Sequence, residues 1–203
     1  MYPVCTQSRL TPAAPDVAAS LARRLPERVS CHVGPTDRSK STMNAGRVFA
    51  SHYQFIVCDD PTRPIPADVD WSDEARKRGF VGSAQKLFVA TEADSNDHWV
   101  ELTLASQPPD LTSWQRITAA PLRVATGAVH VLSVIDTEPR LTLNVPPGDY
   151  TVYIAGQNIG VDRSALGEEG EISDEQLRLR RDLEWYRLFI VPATYLAGRV
   201  KDA

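Results

Sequence analysis

Residues able to do chemistry concentrate in one stretch, Ser51 to Phe80, which reads SHYQFIVCDDPTRPIPADVDWSDEARKRGF. Loop carboxylates are the hard oxygen ligands that calcium binds. On a protein surface the same charges would attract a cationic partner and speed association. The stretch therefore allows a metal site, a recognition surface or an acidic loop that is merely solvated. Its six carboxylates are Asp59, Asp60, Asp68, Asp70, Asp73 and Glu74.

A recognition surface accounts for more of this stretch than a metal site does. Its prolines restrict the conformations open to the loop before binding, and Trp71 is a side chain of the type enriched at interface hot spots. A nuclease must hold phosphates in a basic cleft, so an acidic surface complements it. For Trp71 itself the favoured interpretation is a core residue that holds the following helix in place, and its two edges could serve both roles. The candidate partner-binding residues are Asp59, Asp60, Asp68, Asp70 and Trp71.

The sequence does not supply a recognisable catalytic set. The four histidines are scattered, and no GxSxG, HExxH, Walker or GxGxxG motif is present. His52 and Cys58 would share a strand face but lie far apart along it. We therefore predict that the protein is not an enzyme, and we assign it no catalytic residue, metal ligand or cofactor.

Composition and charge limit the possible partners. The chain has 203 residues, 42% of them hydrophobic, and a net charge of -4. Residues 1–46 carry 6 basic and 3 acidic side chains, whereas residues 47–160 carry 9 and 14. An acidic main region argues against direct nucleic-acid binding, which needs a basic surface. Three cysteines without CxxC spacing favour a reducing, cytoplasmic setting, and no apolar run is long enough for a membrane span.

From Arg47 onward, short runs of β-branched and aromatic residues alternate with turn signals. Many short strands with few helices between them favour antiparallel pairing, because parallel strands need crossover connections. We predict a mainly β protein, an antiparallel, jelly-roll-like β-sandwich with one or two short helices. The predicted strands are 48–57, 86–91, 98–105, 114–118, 122–125, 128–135, 140–145, 149–155 and 184–191.

Two helices and three regions complete the predicted organisation. The first helix covers Ser72 to Arg78, with Asp70 or Ser72 as its N-cap; the second covers Asp174 to Arg181, which would also suit an edge strand. The sandwich domain should span residues 46–192, followed by a tail at 193–203. Residues 1–45 should form a flexible arm, or go untranslated if synthesis starts at Met43.

Three motifs give the chain a family resemblance. HYQFIV, then DWSDEA followed by GF, and later VPPGDYTVY resemble the competence protein J family over about residues 49–153. The resemblance implies a small β-rich cytosolic protein that binds and inhibits a nuclease of DNA uptake and has no enzymatic activity. It assigns no contact residues. We therefore predict a protein-binding nuclease inhibitor or immunity protein; the alternative is a β-sandwich that binds calcium or a small ligand.

Overall fold

The computed structural model describes residues 42–65 and 69–193. Within them the chain forms ten strands, two α-helices and two single turns of 3-10 helix. The strands are β1 (Met43–Ala50), β2 (Gln54–Cys58), β3 (Phe80–Ser83), β4 (Lys86–Ala90), β5 (Asn96–Leu104), β6 (Arg116–Val124), β7 (Ala128–Ser133), β8 (Leu141–Asn144), β9 (Gly148–Gln157) and β10 (Trp185–Pro192). The helices are α1 (Asp73–Arg78) and α2 (Asp174–Leu179), and the 3-10 turns are Leu111–Ser113 and Ser164–Leu166.

The strands form two five-stranded sheets. Sheet A has the order β1-β5-β10-β9-β6, and sheet B has the order β3-β4-β2-β7-β8. Every pair is antiparallel except β5 with β10, which run parallel because the chain between them forms β6 to β9 and α2 before returning. The predicted mainly β sandwich with two short helices is confirmed.

The core lies between the two sheets, where alternate side chains of each strand meet. Phe55 and Val57 of β2 belong to the same buried cluster as Leu188 and Ile190 of β10. Phe55 also meets Tyr186 edge to face, with ring centroids 5.4 Å apart. Each sheet therefore has a second, outward face whose apolar residues need separate cover.

The predicted strand 48–57 is in fact two strands of different sheets, β1 of sheet A and β2 of sheet B, joined by a tight reverse turn that we call the hairpin turn. The break comes after Ala50, and His52 and Tyr53 form a two-residue turn with φ values of 58° and 59°. Tyr53 consequently lies in the turn and not in the strand that the alternation predicted. Nothing in the sequence marks this turn, because neither position holds the Gly or Asn that normally occupies it.

Other element boundaries also differ from the prediction. The predicted strands 114–118 and 122–125 form one strand, β6, which accommodates Pro121 because β6 lies at the edge of sheet A. Strand β1 begins at Met43, three residues before the predicted domain start. Residues 174–179 form a helix rather than an edge strand, and Ser173 and Gln176 close a capping box at its start.

The outward face of sheet B carries an apolar cluster that the acidic stretch covers. Ile56, Cys58 and Phe88 belong to this cluster. Ala75 of α1 is buried in it, and Trp71 packs against it together with Val69. We call residues 59–72 the strap; of these, 59–65 and 69–72 are described. Residues 59–65 follow the end of β2, and residues 69–72 lead into α1, with Trp71 hydrogen-bonded to Gln54 at the start of β2.

The structure shows which of the two candidate residues caps α1. Ser72 is the N-cap, and its side chain accepts a hydrogen bond from the Ala75 backbone N–H at 3.2 Å. Asp70 lies exposed before it. The helix ends at Gly79, whose positive φ of 82° places its N–H against the carbonyl groups of Ala75 and Arg76.

Removing each candidate cap in turn tests this arrangement. Ser72→Ala should lower the free energy of unfolding by about 1 kcal/mol because the Ala75 N–H loses its acceptor. Asp70→Ala should change it by less than about 0.5 kcal/mol, as is usual for exposed positions. Urea denaturation of both variants measures the difference; a larger loss for Asp70→Ala would contradict the assignment of the cap.

Candidate functional site

Asp59, the first predicted contact residue, lies inside the fold. It is 2% exposed. Its Oδ1 accepts hydrogen bonds from the backbone N–H groups of Ala125 and Thr126, both at 2.9 Å, and from the Thr126 hydroxyl at 2.8 Å. Asp59 thereby ties the end of β2 to the turn between β6 and β7. Its burial gives it a structural role instead of the predicted place on a binding surface.

A buried lysine that the sequence reasoning missed fixes the start of the strap. Lys86 is buried at the beginning of β4, and its ammonium group donates to the carbonyl oxygens of Pro61 and Arg63. A buried ammonium needs such acceptors, because burial without them costs several kcal/mol. In the sequence Lys86 resembled an ordinary polar boundary before an apolar run, so no local signal pointed to this role.

The other predicted residues occupy different environments. Asp60 accepts hydrogen bonds from the backbone and hydroxyl of Thr62, which hold the pKa of its carboxyl below the usual range. Asp70 is exposed, and Asp68 lies outside the described residues. Trp71 is half-buried over the apolar cluster, and its indole N–H donates to Gln54 Oε1 at 2.9 Å. The structure therefore does not join these residues into one acidic patch.

Helix α1 divides the charge of the acidic stretch further. Asp73 and Glu74 lie in its first turn, and Arg76, Lys77 and Arg78 lie in its last. This order complements the helix dipole, which favours anions at the N-terminus and cations at the C-terminus. The surface here is therefore acidic at the start of the helix and basic at its end.

A groove opens where Trp71 meets the hairpin turn between β1 and β2. It has a volume of about 360 Å³. We call it the turn groove. Tyr53 is 55% exposed beside it. The residues that line it are His52, Tyr53, Trp71, Arg76, Ala90, Thr91 and Glu92.

Backbone hydrogen bonds hold the hairpin turn at the groove in place. The Tyr53 N–H donates to Asp94 Oδ1 at 2.9 Å, and the Tyr53 carbonyl accepts from the Thr91 N–H at 2.8 Å. His52 Nδ1 lies 2.8 Å from the Ser51 hydroxyl. The turn is therefore joined to the segment after β4, which forms the opposite wall.

That opposite wall is held by a buried carboxylate. Glu184 accepts hydrogen bonds from the backbone N–H groups of Glu92 and Ala93, each at 3.0 Å, and from the Tyr186 hydroxyl. Arg116 adds an ion pair to Glu92 at 2.9 Å. Preorganised walls of this kind lower the entropy cost of binding.

Among the described residues, His98, His130 and Cys58 do not form an active nucleophile. Strand register places His130 opposite Cys58, a pairing that the sequence did not suggest. His130 Nδ1 instead lies 3.0 Å from the Thr142 hydroxyl, and burial lowers its pKa. Burial also raises the pKa of the Cys58 thiol to about 11, so the thiol stays protonated near neutral pH. His98 is buried, with Nδ1 3.2 Å from the Glu184 carbonyl oxygen.

Within residues 42–65 and 69–193, no group of three or more His, Cys, Asp or Glu side chains could hold a metal ion. Asp59, one of the carboxylates of the metal hypothesis, already accepts three hydrogen bonds through Oδ1. None of the helices in this part of the chain is long and apolar enough to cross a membrane.

Comparison with known proteins identifies the family. The family model Competence protein J (ComJ) matches residues 47–177. The chain belongs to the competence protein J family. The match confirms the resemblance seen in the sequence motifs and extends it beyond residue 153, to α2.

A solved structure shares the fold. The crystal structure of Bacillus subtilis ComJ, described as an inhibitor of the DNA degrading activity of NucA, matches with a TM-score of 0.52 and 19% identity, over 73% of this chain and 95% of that one. A protein described as Crocagin biosynthetic gene J matches with a TM-score of 0.42 and 13% identity, over 72% of this chain and 97% of that one. No curated protein matches the chain.

The structural role of Asp59 can be separated from a binding role. Asp59→Ala should lower the free energy of unfolding by about 1–3 kcal/mol, because three donors lose their acceptor. Asp59→Asn keeps an Oδ1 acceptor and should lose less. Urea denaturation measures both values. Equal stability of Asp59→Ala and the native protein would contradict this role.

The protonated state of Cys58 predicts its reactivity. At pH 8 a thiol with a pKa of about 11 is only about 0.1% thiolate, and burial excludes reagent as well. Iodoacetamide should leave the Cys58 peptide unlabelled in the folded protein and label it fully in urea. Mass spectrometry of the digested protein measures the labelled fraction; similar labelling rates in both states would show an accessible, reactive thiol.

Proposed function

We propose that this chain is a non-enzymatic protein-binding module that inhibits a nuclease by blocking its basic cleft. Membership of the competence protein J family carries the proposal. The B. subtilis relative is described as an inhibitor of NucA, a nuclease that degrades DNA. A cytoplasmic location and an immunity-type role belong to the same proposal.

The use of the buried charges supports a binding role over a catalytic one. Asp59, Lys86 and Glu184 each brace a turn or a loop through hydrogen bonds. Glu101 is paired with Arg181 and Arg187 on the outward face of sheet A. These groups are committed to holding the fold, so the chemistry open to a partner is that of the exposed surface.

The net charge of the chain also suits a nuclease partner. The net charge of -4 is opposite in sign to the basic cleft in which a nuclease holds phosphates. Opposite charges on two proteins accelerate their encounter, and salt weakens this effect because it screens the charges. Calcium binding remains the alternative from the sequence, but no observation on the described residues favours it.

A titration of nuclease activity tests the proposal. The NucA-type nuclease of the same organism should degrade labelled DNA more slowly as this protein is added, with inhibition complete near an equimolar ratio. The association rate, followed by stopped-flow fluorescence, should fall as salt rises because the encounter is electrostatically steered. A urea-unfolded sample removed from urea just before mixing serves as the control.

Two results would contradict the proposal. One is an unchanged rate of DNA degradation at a large excess of the folded protein. The other is degradation of DNA by this protein alone, which would make it a nuclease instead of an inhibitor.

A further inference from the structure

We propose that the turn groove is the central contact of the inhibitor and that it receives an arginine or lysine side chain from the nuclease. This inference rests on the proposed function, because it names the surface through which inhibition occurs. It differs from the sequence prediction, which placed the contact along the acidic stretch.

The backbone of the hairpin turn is the first argument. His52 and Tyr53 both have positive φ, a conformation that L-residues with bulky side chains rarely adopt. A two-residue turn of this kind favours Asn-Gly, which would occupy it with less strain. Strain of this sort collects at functional sites. Asn or Gly at these two positions would allow the same turn with less backbone strain.

The exposure of Tyr53 is the second argument. Tyr53 keeps 55% of its surface in water, so it is not a core residue that burial holds in this backbone conformation. The backbone N–H and carbonyl of Tyr53 are both hydrogen-bonded, to Asp94 and Thr91. The side chain is thus presented to solvent from a fixed backbone, as expected of an interface anchor.

The groove chemistry favours a cation. Trp71 and Tyr53 line the same groove, and aromatic faces attract ammonium and guanidinium groups. The indole N–H of Trp71 is already taken by Gln54, so the ring offers its apolar surface. A groove of about 360 Å³ is small among ligand pockets and suits a single long side chain.

The charges around the groove also favour a cation. Glu92 lines it, Asp94 is bonded to the hairpin turn, and Asp70 is exposed next to Trp71. Arg116 pairs with Glu92 and donates to the Ala90 carbonyl. Arg76 is the cation among the lining residues. Because Glu92 is already paired with Arg116, the charges left for a cationic guest are Asp70 and Asp94 against Arg76, an excess of one carboxylate.

A single substitution separates binding from folding. Asn tolerates positive φ better than Tyr does, so Tyr53→Asn should relieve strain while it removes the aromatic ring. The variant should melt no lower than the native protein, whereas its inhibition constant against the NucA-type nuclease should rise about tenfold or more. The matched control is Leu179→Gln, since Leu179 is 65% exposed on α2, away from the groove. That control should inhibit like the native protein.

Native-like inhibition by Tyr53→Asn would overturn the groove inference and leave the proposed function standing. Equal losses in Tyr53→Asn and Leu179→Gln would also overturn it, because the effect would not be specific to the groove. If the native protein does not inhibit the nuclease, the proposed function fails and the groove is judged by a measurement without nuclease.

That second measurement uses a small cationic probe. N-acetylarginine amide, added at millimolar concentration, should shift the NMR signal of the Trp71 indole N–H and leave the signals of the other three tryptophans in place. N-acetylcitrulline amide, which has the same shape without the charge, should cause no shift. Trp71→Phe identifies the signal. Absent shifts, or equal shifts with both probes, would overturn the inference.

Discussion

The constraint on which the candidate site depends is the apolar outward face of sheet B. Ile56, Cys58 and Phe88 point away from the central core and would expose a hydrophobic sheet to water without cover. The strap and α1 supply the cover, and in doing so they carry Trp71 across the sheet to the hairpin turn. The turn groove exists because the cover ends there.

Charged groups inside the fold serve that arrangement. Lys86 holds the strap at its start, Asp59 fixes the neighbouring β6–β7 turn, and Glu184 fixes the far wall of the turn groove. Burial of a charge is costly unless hydrogen bonds compensate it. Each of these groups meets backbone donors or acceptors that would otherwise lack partners in a loop. The outcome is a braced frame around which aromatic and acidic side chains such as Tyr53 and Asp70 lie exposed.

The residues of the acidic stretch therefore occupy different places in the fold. Of the carboxylates in the acidic stretch, Asp59 is internal, whereas Asp73 and Glu74 complement the dipole of α1. Trp71 packs on the outward face of sheet B and also lines the turn groove. The sequence predicted a contact surface made of carboxylates. The structure shows instead a groove lined by Tyr53 and Trp71, with Glu92 in its lining.

The sequence by itself determined the β-sandwich, the first helix and the family, because alternation, capping residues and short motifs are local properties. It could not place the hairpin turn at His52 and Tyr53, since the residues there contradict the usual turn chemistry. Nor could it show that Asp59 is buried and Lys86 holds the strap, because their partners lie 66 and 23 residues away in the chain. Only the packing of the strap on sheet B brings such distant groups together, and so only the tertiary structure decided where the candidate site lies.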